Sequence, residues 1–181
     1  MINVSKVGTE SILTIKSLAE NIWKVAYASI LSPAQMSYML DLFYSETSLQ
    51  KQMDDGHQFI LAKENALLTE LNTNTEYNGA VGFASYSVKN TGPAELSRNV
   101  YRLHKIYIDP TLQGKGIGKL LIGFIINDIS TDNATDLELN VNRRNKALDF
   151  YQKIGFKIIR EEDVDIGNGY FMNDYVMELP L

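Results

Sequence analysis

The spacing of apolar positions along this chain changes period several times, and each change marks an element. Residues 2–7, INVSKV, alternate as a short strand does. Thr9, Glu10 and Ser11 then offer N-cap oxygens to a helix that Leu18, Ile22, Val25 and Tyr27 continue. Ser32-Pro33 is a second start signal, since the fixed φ of proline suits a first helical turn, and Met36, Met39, Leu40 and Phe43 recur behind it at helical spacing. HQFILAK at 57–63 and GAVGFASYSV at 79–88 read as strands, with the polar TNTEYN between them a hairpin loop or insertion. VYRLHKIYI at 100–108 is a further strand, ended by Asp109-Pro110. KLLIGFIINDIS has apolar residues nearly all round, which predicts a largely buried helix. DLELNV at 136–141 alternates cleanly, NKALDFYQKI at 145–154 is a helix stopped by Gly155, and FKIIRE with YFMNDYVMEL forms two closing strands.

The order is strand, two helices, three strands, helix, strand, helix, two strands. It predicts a mixed α/β (α+β) layer architecture of about four helices on one sheet, and not a Rossmann repeat. A length of 181 residues with 45% hydrophobic positions fits one domain over 1–181 with a sizeable core.

Composition narrows the function. There are 22 acidic against 17 basic residues, a formal charge of -5, and no basic block, so binding nucleic acid by phosphate neutralisation is not expected. Cationic or neutral partners suit the charge better. Without cysteine, disulfides and thiolate catalysis are excluded. The opening MINVSKVGTE lacks a signal-peptide pattern, and the longest wholly apolar and glycine run, LLIGFII at 120–126, is far short of the roughly 20 residues that span a bilayer. These features predict a cytoplasmic protein that does not enter membranes; no metal site is expected.

The chemistry concentrates in QGKGIGKLL at 113–121, three glycines on alternate positions at the mouth of a helix. A P-loop requires Ser or Thr after its Gly-Lys, and Leu120 follows Gly118-Lys119. A dinucleotide fingerprint requires Gly at its first, third and sixth places; counted from Gly114 the sixth is Lys119, and from Gly116 it is Leu121. Neither motif is present. The physics they share is: successive backbone N–H groups at a helix N-terminus, bare of side chains, cradle a phosphate or pyrophosphate, and Lys115 and Lys119 add positive charge.

Gln113-x-x-Gly116-x-Gly118 behind a strand ending in Asp109-Pro110, then an alternating strand, then NKALDFYQKIGF, resembles the GCN5-related N-acetyltransferases (GNAT). Within them, RLHKIYIDPTLQGKGIGKLL and the tail IGNGYFMNDYVMELPL are similar to spermine/spermidine acetyltransferases of the PaiA type. The resemblance implies a twisted, mostly antiparallel sheet that splays between its fourth and fifth strands, with acetyl-CoA as co-substrate in the opening. It implies that the backbone of Ile106, Tyr107 and Ile108 runs along the pantetheine and acetyl group, and that Gln113, Gly114, Lys115, Gly116, Ile117, Gly118 and Lys119 hold the pyrophosphate. Asn142 and Asn145 sit where the family uses an amide against pantetheine. Asn145 is six residues before Tyr151, where many members have seven, and capping its own helix is its other reading.

The reaction so implied is aminolysis of a thioester in a ternary complex. N–H groups of a bulge in the fourth strand are expected to serve the oxyanion. Tyr151 matches the family's general acid, against a packing role beside a core Phe150. Arg102 stands where some members carry a basic Glu, which leaves His104, His57 or a chain of waters to take the amine proton. Tyr107 is expected to pack rather than react. Acidic residues at Asp54-Asp55, Glu161-Glu162-Asp163, Asp165 and Asp174, with Asp41 and Glu46, suit a polyamine acceptor or form a solvated surface. A peptide or protein N-terminus and a lysine side chain are alternatives, as is a non-catalytic acyl-CoA-binding module. The apolar tail leaves room for a homodimer.

Overall fold

The computed structural model describes residues 1–64, 77, 79–89 and 98–181. β1 (Ile2–Val7) leads through a 3-10 turn, Thr9–Ser11, into α1 (Ile12–Ala26), α2 (Pro33–Tyr44) and α3 (Glu46–Asp54). β2 (Gln58–Glu64), β3 (Ala80–Val88), β4 (Val100–Ile108), α4 (Ile117–Ser130), β5 (Asp136–Asn142), α5 (Ala147–Ile154), β6 (Lys157–Gly167) and β7 (Tyr170–Pro180) follow. The strands hydrogen-bond in the order β1-β2-β3-β4-β5-β7-β6. The loop expected at 73–78 lies outside the described residues apart from Tyr77.

The sequence predicts about four helices, and five are described. Ser45 makes the difference. Its extended backbone (φ -58, ψ 151) breaks the path of α2, while its hydroxyl accepts from Ser48 N–H at 3.4 Å and starts α3. Ser32 caps α2 by accepting from Gln35 N–H at 3.2 Å, with Pro33 at the first helical position. α4 departs from its expected burial: Leu121, Ile122, Ile125 and Ile129 are buried, while Leu120, Gly123, Asn127 and Ser130 form an exposed stripe at spacings of three and four.

The chain divides into two compact units, the first Met1–Tyr86 with Lys105–Phe124 and the second Ser87–His104 with Ile125–Leu181. In the first, β1 pairs β2 and β2 pairs β3, both antiparallel. Phe59, Ile60, Leu61 and Ala62 of β2 are all buried, so this strand is covered on both faces. Ile15, Leu18, Ile22 and Trp23 form the buried stripe of α1, each side chain contributing about 1.5–3 kcal/mol on transfer from water. In the second unit β4 pairs β5 in parallel over Val100–Leu103 and Asp136–Leu139, and β5 and β6 each pair β7 antiparallel. Asn168 (φ 56) and Gly169 (φ 75) close the β6–β7 hairpin with two consecutive left-handed residues, the pattern of a type I′ turn.

Candidate active site

In the first unit the chain leaves β4 at Ile108 and turns into α4. Asp109 fixes the turn, its Oδ1 accepting from Thr111 N–H at 2.8 Å and from Thr111 Oγ1 at 2.7 Å. Gln113 Nε2 donates to the Ile108 carbonyl at 3.5 Å. Gly114 (φ 78) and Gly116 (φ 84) are left-handed, a conformation that costs other residues roughly 1–2 kcal/mol. A Cβ built on either meets nothing within 4 Å, so protein packing does not demand these glycines. Residues 113–116 and Lys119 are exposed, whereas Ile117 is buried and anchors the helix start. The first N–H groups of α4 have no acceptor within the helix and carry the positive end of its dipole. An exposed, positively charged cradle at a helix N-terminus results.

Tyr107 belongs to an aromatic cluster of the same unit. Its ring centroid lies 5.5 Å from Phe83, 6.0 Å from Trp23 and 6.3 Å from Tyr44, and its hydroxyl is 3.3 Å from that of Tyr27. Burial holds the Tyr107 and Tyr44 phenols well above their ordinary pKa, so both stay protonated at neutral pH. Beside them is a residue the sequence does not single out. Lys105 is buried, its Nζ lies 5.5 Å from the Tyr44 ring centroid and 5.8 Å from that of Phe59, and it donates to Gln52 Oε1. It forms no ion pair among the described residues, and burial lowers its pKa to about 8. Burial and then the Lys105 charge lower the His57 imidazole below its ordinary value.

The second unit holds His104, Asn142, Asn145 and Tyr151. His104 Nε2 is 2.8 Å from Ser87 Oγ. Asn142 Oδ1 accepts from Arg144 N–H at 3.0 Å and Asn145 Oδ1 from Ala147 N–H at 2.9 Å, so both amide oxygens serve local turns at the start of α5. Tyr151 is 7% exposed and packs 5.4 Å from Phe150 and 5.8 Å from Phe156 between ring centroids. Phe150, expected in the core, is only half-buried, because it lies one position further round the helix. Gly155 (φ 118) ends α5.

The acidic residues separate by environment. Asp54 and Asp55 take Gln50 and Lys51 of α3, and Glu46 takes Lys16. Arg143 holds Asp163 at 2.7 Å and Glu161 at 3.5 Å. Glu138, 3% exposed, receives Lys89 Nζ at 2.8 Å, Arg102 Nη1 at 3.4 Å and Arg160 Nη1 at 3.5 Å. Asp136 is buried against Arg98 at 2.7 Å. Asp174, 6% exposed, forms no ion pair among the described residues; burial, then the Glu162 charge, raises its pKa to about 6. No group of residues suited to a metal ion occurs among the described residues, and no described helix is long and apolar enough to cross a membrane.

Comparison with known proteins places the family. The model of the acetyltransferase (GNAT) domain matches residues 28–179. A peptidyl-lysine N-acetyltransferase of Salmonella typhimurium is 39% identical over 67 residues, 36% of this chain and 43% of the relative. A [ribosomal protein bS18]-alanine N-acetyltransferase of Haemophilus influenzae is 41% identical over 69 residues, 38% of this chain and 44% of the relative. The matched segment thus spans less than half the length of these relatives. Among solved structures, the PaiA N-acetyltransferase of Thermoplasma acidophilum in complex with coenzyme A superposes with a TM-score of 0.76 at 23% identity, covering 100% of this chain and 99% of that one, a likeness of fold.

Proposed function

The chain belongs to the GNAT acetyltransferase domain family, and on that premise we propose that it transfers an acetyl group from acetyl-CoA to a primary amine by direct attack in a ternary complex. The observation that carries the reading is the loop at Gly114 and Gly116: left-handed, exposed, and open where a side chain would stand. These features suit a pyrophosphate, which needs backbone N–H groups it can approach closely. Gln113, Gly114, Lys115, Gly116, Ile117, Gly118 and Lys119 would hold it, and the backbone of Ile106, Tyr107 and Ile108 would bind the pantetheine arm. Asn142 and Asn145 would contribute through their side-chain N–H groups, their oxygens being engaged in turns.

Bound acetyl-CoA supplies an acyl group activated as a thioester. Tyr151 donates its hydroxyl proton to the departing sulfur, and backbone N–H groups of β4 stabilise the oxyanion. With no cysteine to carry an acetyl group, direct transfer is favoured over a covalent intermediate.

Two classes of acceptor have support. A polyamine fits the excess of acidic residues and the resemblance of RLHKIYIDPTLQGKGIGKLL to spermine/spermidine acetyltransferases; a lysine side chain or protein N-terminus fits the relatives of higher identity. A panel assay of CoA release with spermidine, spermine, lysine peptides, N-terminal peptides and aminoglycosides tests both. Turnover with spermidine or spermine, falling as salt rises, supports a polyamine; turnover confined to peptides selects the second class. Silence with every amine, in a protein that binds acetyl-CoA, leaves a binding module instead.

A further inference from the structure

Three carboxylates are buried among the described residues, and the fold treats one of them differently. Glu138 and Asp136 are neutralised by Lys89, Arg102, Arg160 and Arg98. Asp174 forms no such pair, although guanidinium groups are close. Arg102 and Arg160 go to Glu138, and Arg143 goes to Asp163 and Glu161, giving Asp174 only a bond from its Nε to the backbone carbonyl at 3.3 Å. In register, Asp174 stands opposite Asn142 of β5 and Glu162 of β6.

A second observation concerns Asn140, two residues before Asn142 on β5. Its Nδ2 donates to Glu162 Oε2 at 2.8 Å, which fixes the amide, and its Oδ1 is buried without a hydrogen-bond partner. A buried acceptor left unpaired forfeits the hydrogen bonds it made with water. A carboxylate without a cation and a carbonyl without a donor, next to one another on one sheet, together lack a group that brings two N–H bonds and positive charge. An amine nitrogen under acylation is such a group.

We propose that Asp174 accepts the proton of the acceptor amine and that Asn140 Oδ1 receives another of its N–H bonds, an assignment that rests on the acetyl-transfer reading above. The C–N bond forms as nitrogen attacks the thioester carbonyl, and nitrogen, now positively charged, gives one proton to Asp174. The C–S bond then breaks, its electron pair leaves with sulfur, and Tyr151 protonates the sulfur. Asp174 returns its proton to solvent and Tyr151 regains one. His104, the other candidate on β4, has its Nε2 2.8 Å from Ser87 Oγ.

The environment of Asp174 sets its pH range. Glu162 opposes its ionisation, while Arg102, the Asn140 amide and Arg143 favour it; burial dominates, and the carboxyl titrates at about 6. Activity therefore rises with pH through about 6 as Asp174 ionises. The test is kcat/KM for CoA release between about pH 5 and 8, with spermidine and a lysine peptide as probes, in wild type, Asp174→Asn and Glu162→Gln. Asp174→Asn is expected to lose roughly 10²- to 10⁴-fold and the acid limb with it, with acetyl-CoA affinity retained. Glu162→Gln removes an opposing charge and should move the limb to lower pH. An Asp174→Asn enzyme within about threefold of wild type, its acid limb intact, overturns the assignment. So does a Glu162→Gln limb at the wild-type pH, which decides alone if Asp174→Asn does not fold. Wild type that releases no CoA with either probe or with any amine of the wider panel overturns the acetyl-transfer reading, and this assignment falls with it.

Discussion

Gly82 of β3 lies directly against Tyr107 of β4: a Cβ built on Gly82 would stand 2.7 Å from the Tyr107 carbonyl oxygen and 3.3 Å from Ile108 Cα. Both contacts are backbone, so no side chain can yield. Gly82→Ala must push β4 outward at the residues proposed to run along pantetheine. We expect the overpacking cost of about 1–3 kcal/mol, read as a lower Tm, together with weaker acetyl-CoA binding by calorimetry. A variant with unchanged Tm and affinity would show that this approach matters to neither.

Gly116 separates a turn glycine from a ligand-binding one. Gly116→Ala meets open space and carries only the strain of its positive φ, roughly 1–2 kcal/mol. Gly116→Asp carries the same strain and adds a negative charge where a pyrophosphate is proposed. Acetyl-CoA affinity should fall far more in Gly116→Asp than in Gly116→Ala, at similar Tm. Equal affinities in the two variants would place the pyrophosphate elsewhere.

Lys105 predicts a stability change on the alkaline side. Its pKa falls from 10.5 to about 8 on burial, so the unfolded chain binds the extra proton between those values. The cost of the buried charge is fully present below pH 8 and disappears as pH rises toward 10.5. Each unit of pKa is about 1.4 kcal/mol, so the full effect is ~3 kcal/mol. Stability of wild type relative to Lys105→Met should therefore rise across that window in denaturant titrations. A difference that stays flat from pH 7 to about 10 would mean that Lys105 is not desolvated.

Elements were legible where a backbone requirement fixed the residue type. Asp109-Pro110 ended β4 at its predicted residue, Ser32-Pro33 opened α2, and Gly155, at φ 118, stopped α5. The turn into α4 was legible for the same reason, since positive φ at Gly114 and Gly116 selects glycine. The α2–α3 break was hidden because Ser45 is a cap without Gly or Pro beside it. Asn168-Gly169 supplies the turn between β6 and β7, and β6 runs on to Gly167 where FKIIRE predicts a strand only as far as Glu161. Individual charges were not legible at all. Along the sequence Glu161, Glu162, Asp163 and Asp174 look alike; strand register and the reach of Arg143 and Asn140 make only the last a buried carboxylate without a cation. Lys105 was hidden in the same way, because a lysine in a strand reads as solvated until the aromatic rings around it are known.

The proposed acetyl transfer assigns Tyr151 the protonation of the departing sulfur. In water a phenol is a weaker acid than a thiol, so the transfer to a departing thiolate costs something there, and partial desolvation of the thiolate offsets that cost. Tyr151→Phe keeps the ring against Phe150 and Phe156 and removes only the hydroxyl. The decisive measurement is single-turnover acetyl transfer in wild type and Tyr151→Phe, alongside acetyl-CoA affinity. A rate lowered by roughly 10²- to 10⁴-fold at nearly unchanged affinity is the predicted result. A Tyr151→Phe rate within about threefold of wild type would contradict it and leave Tyr151 a packing residue.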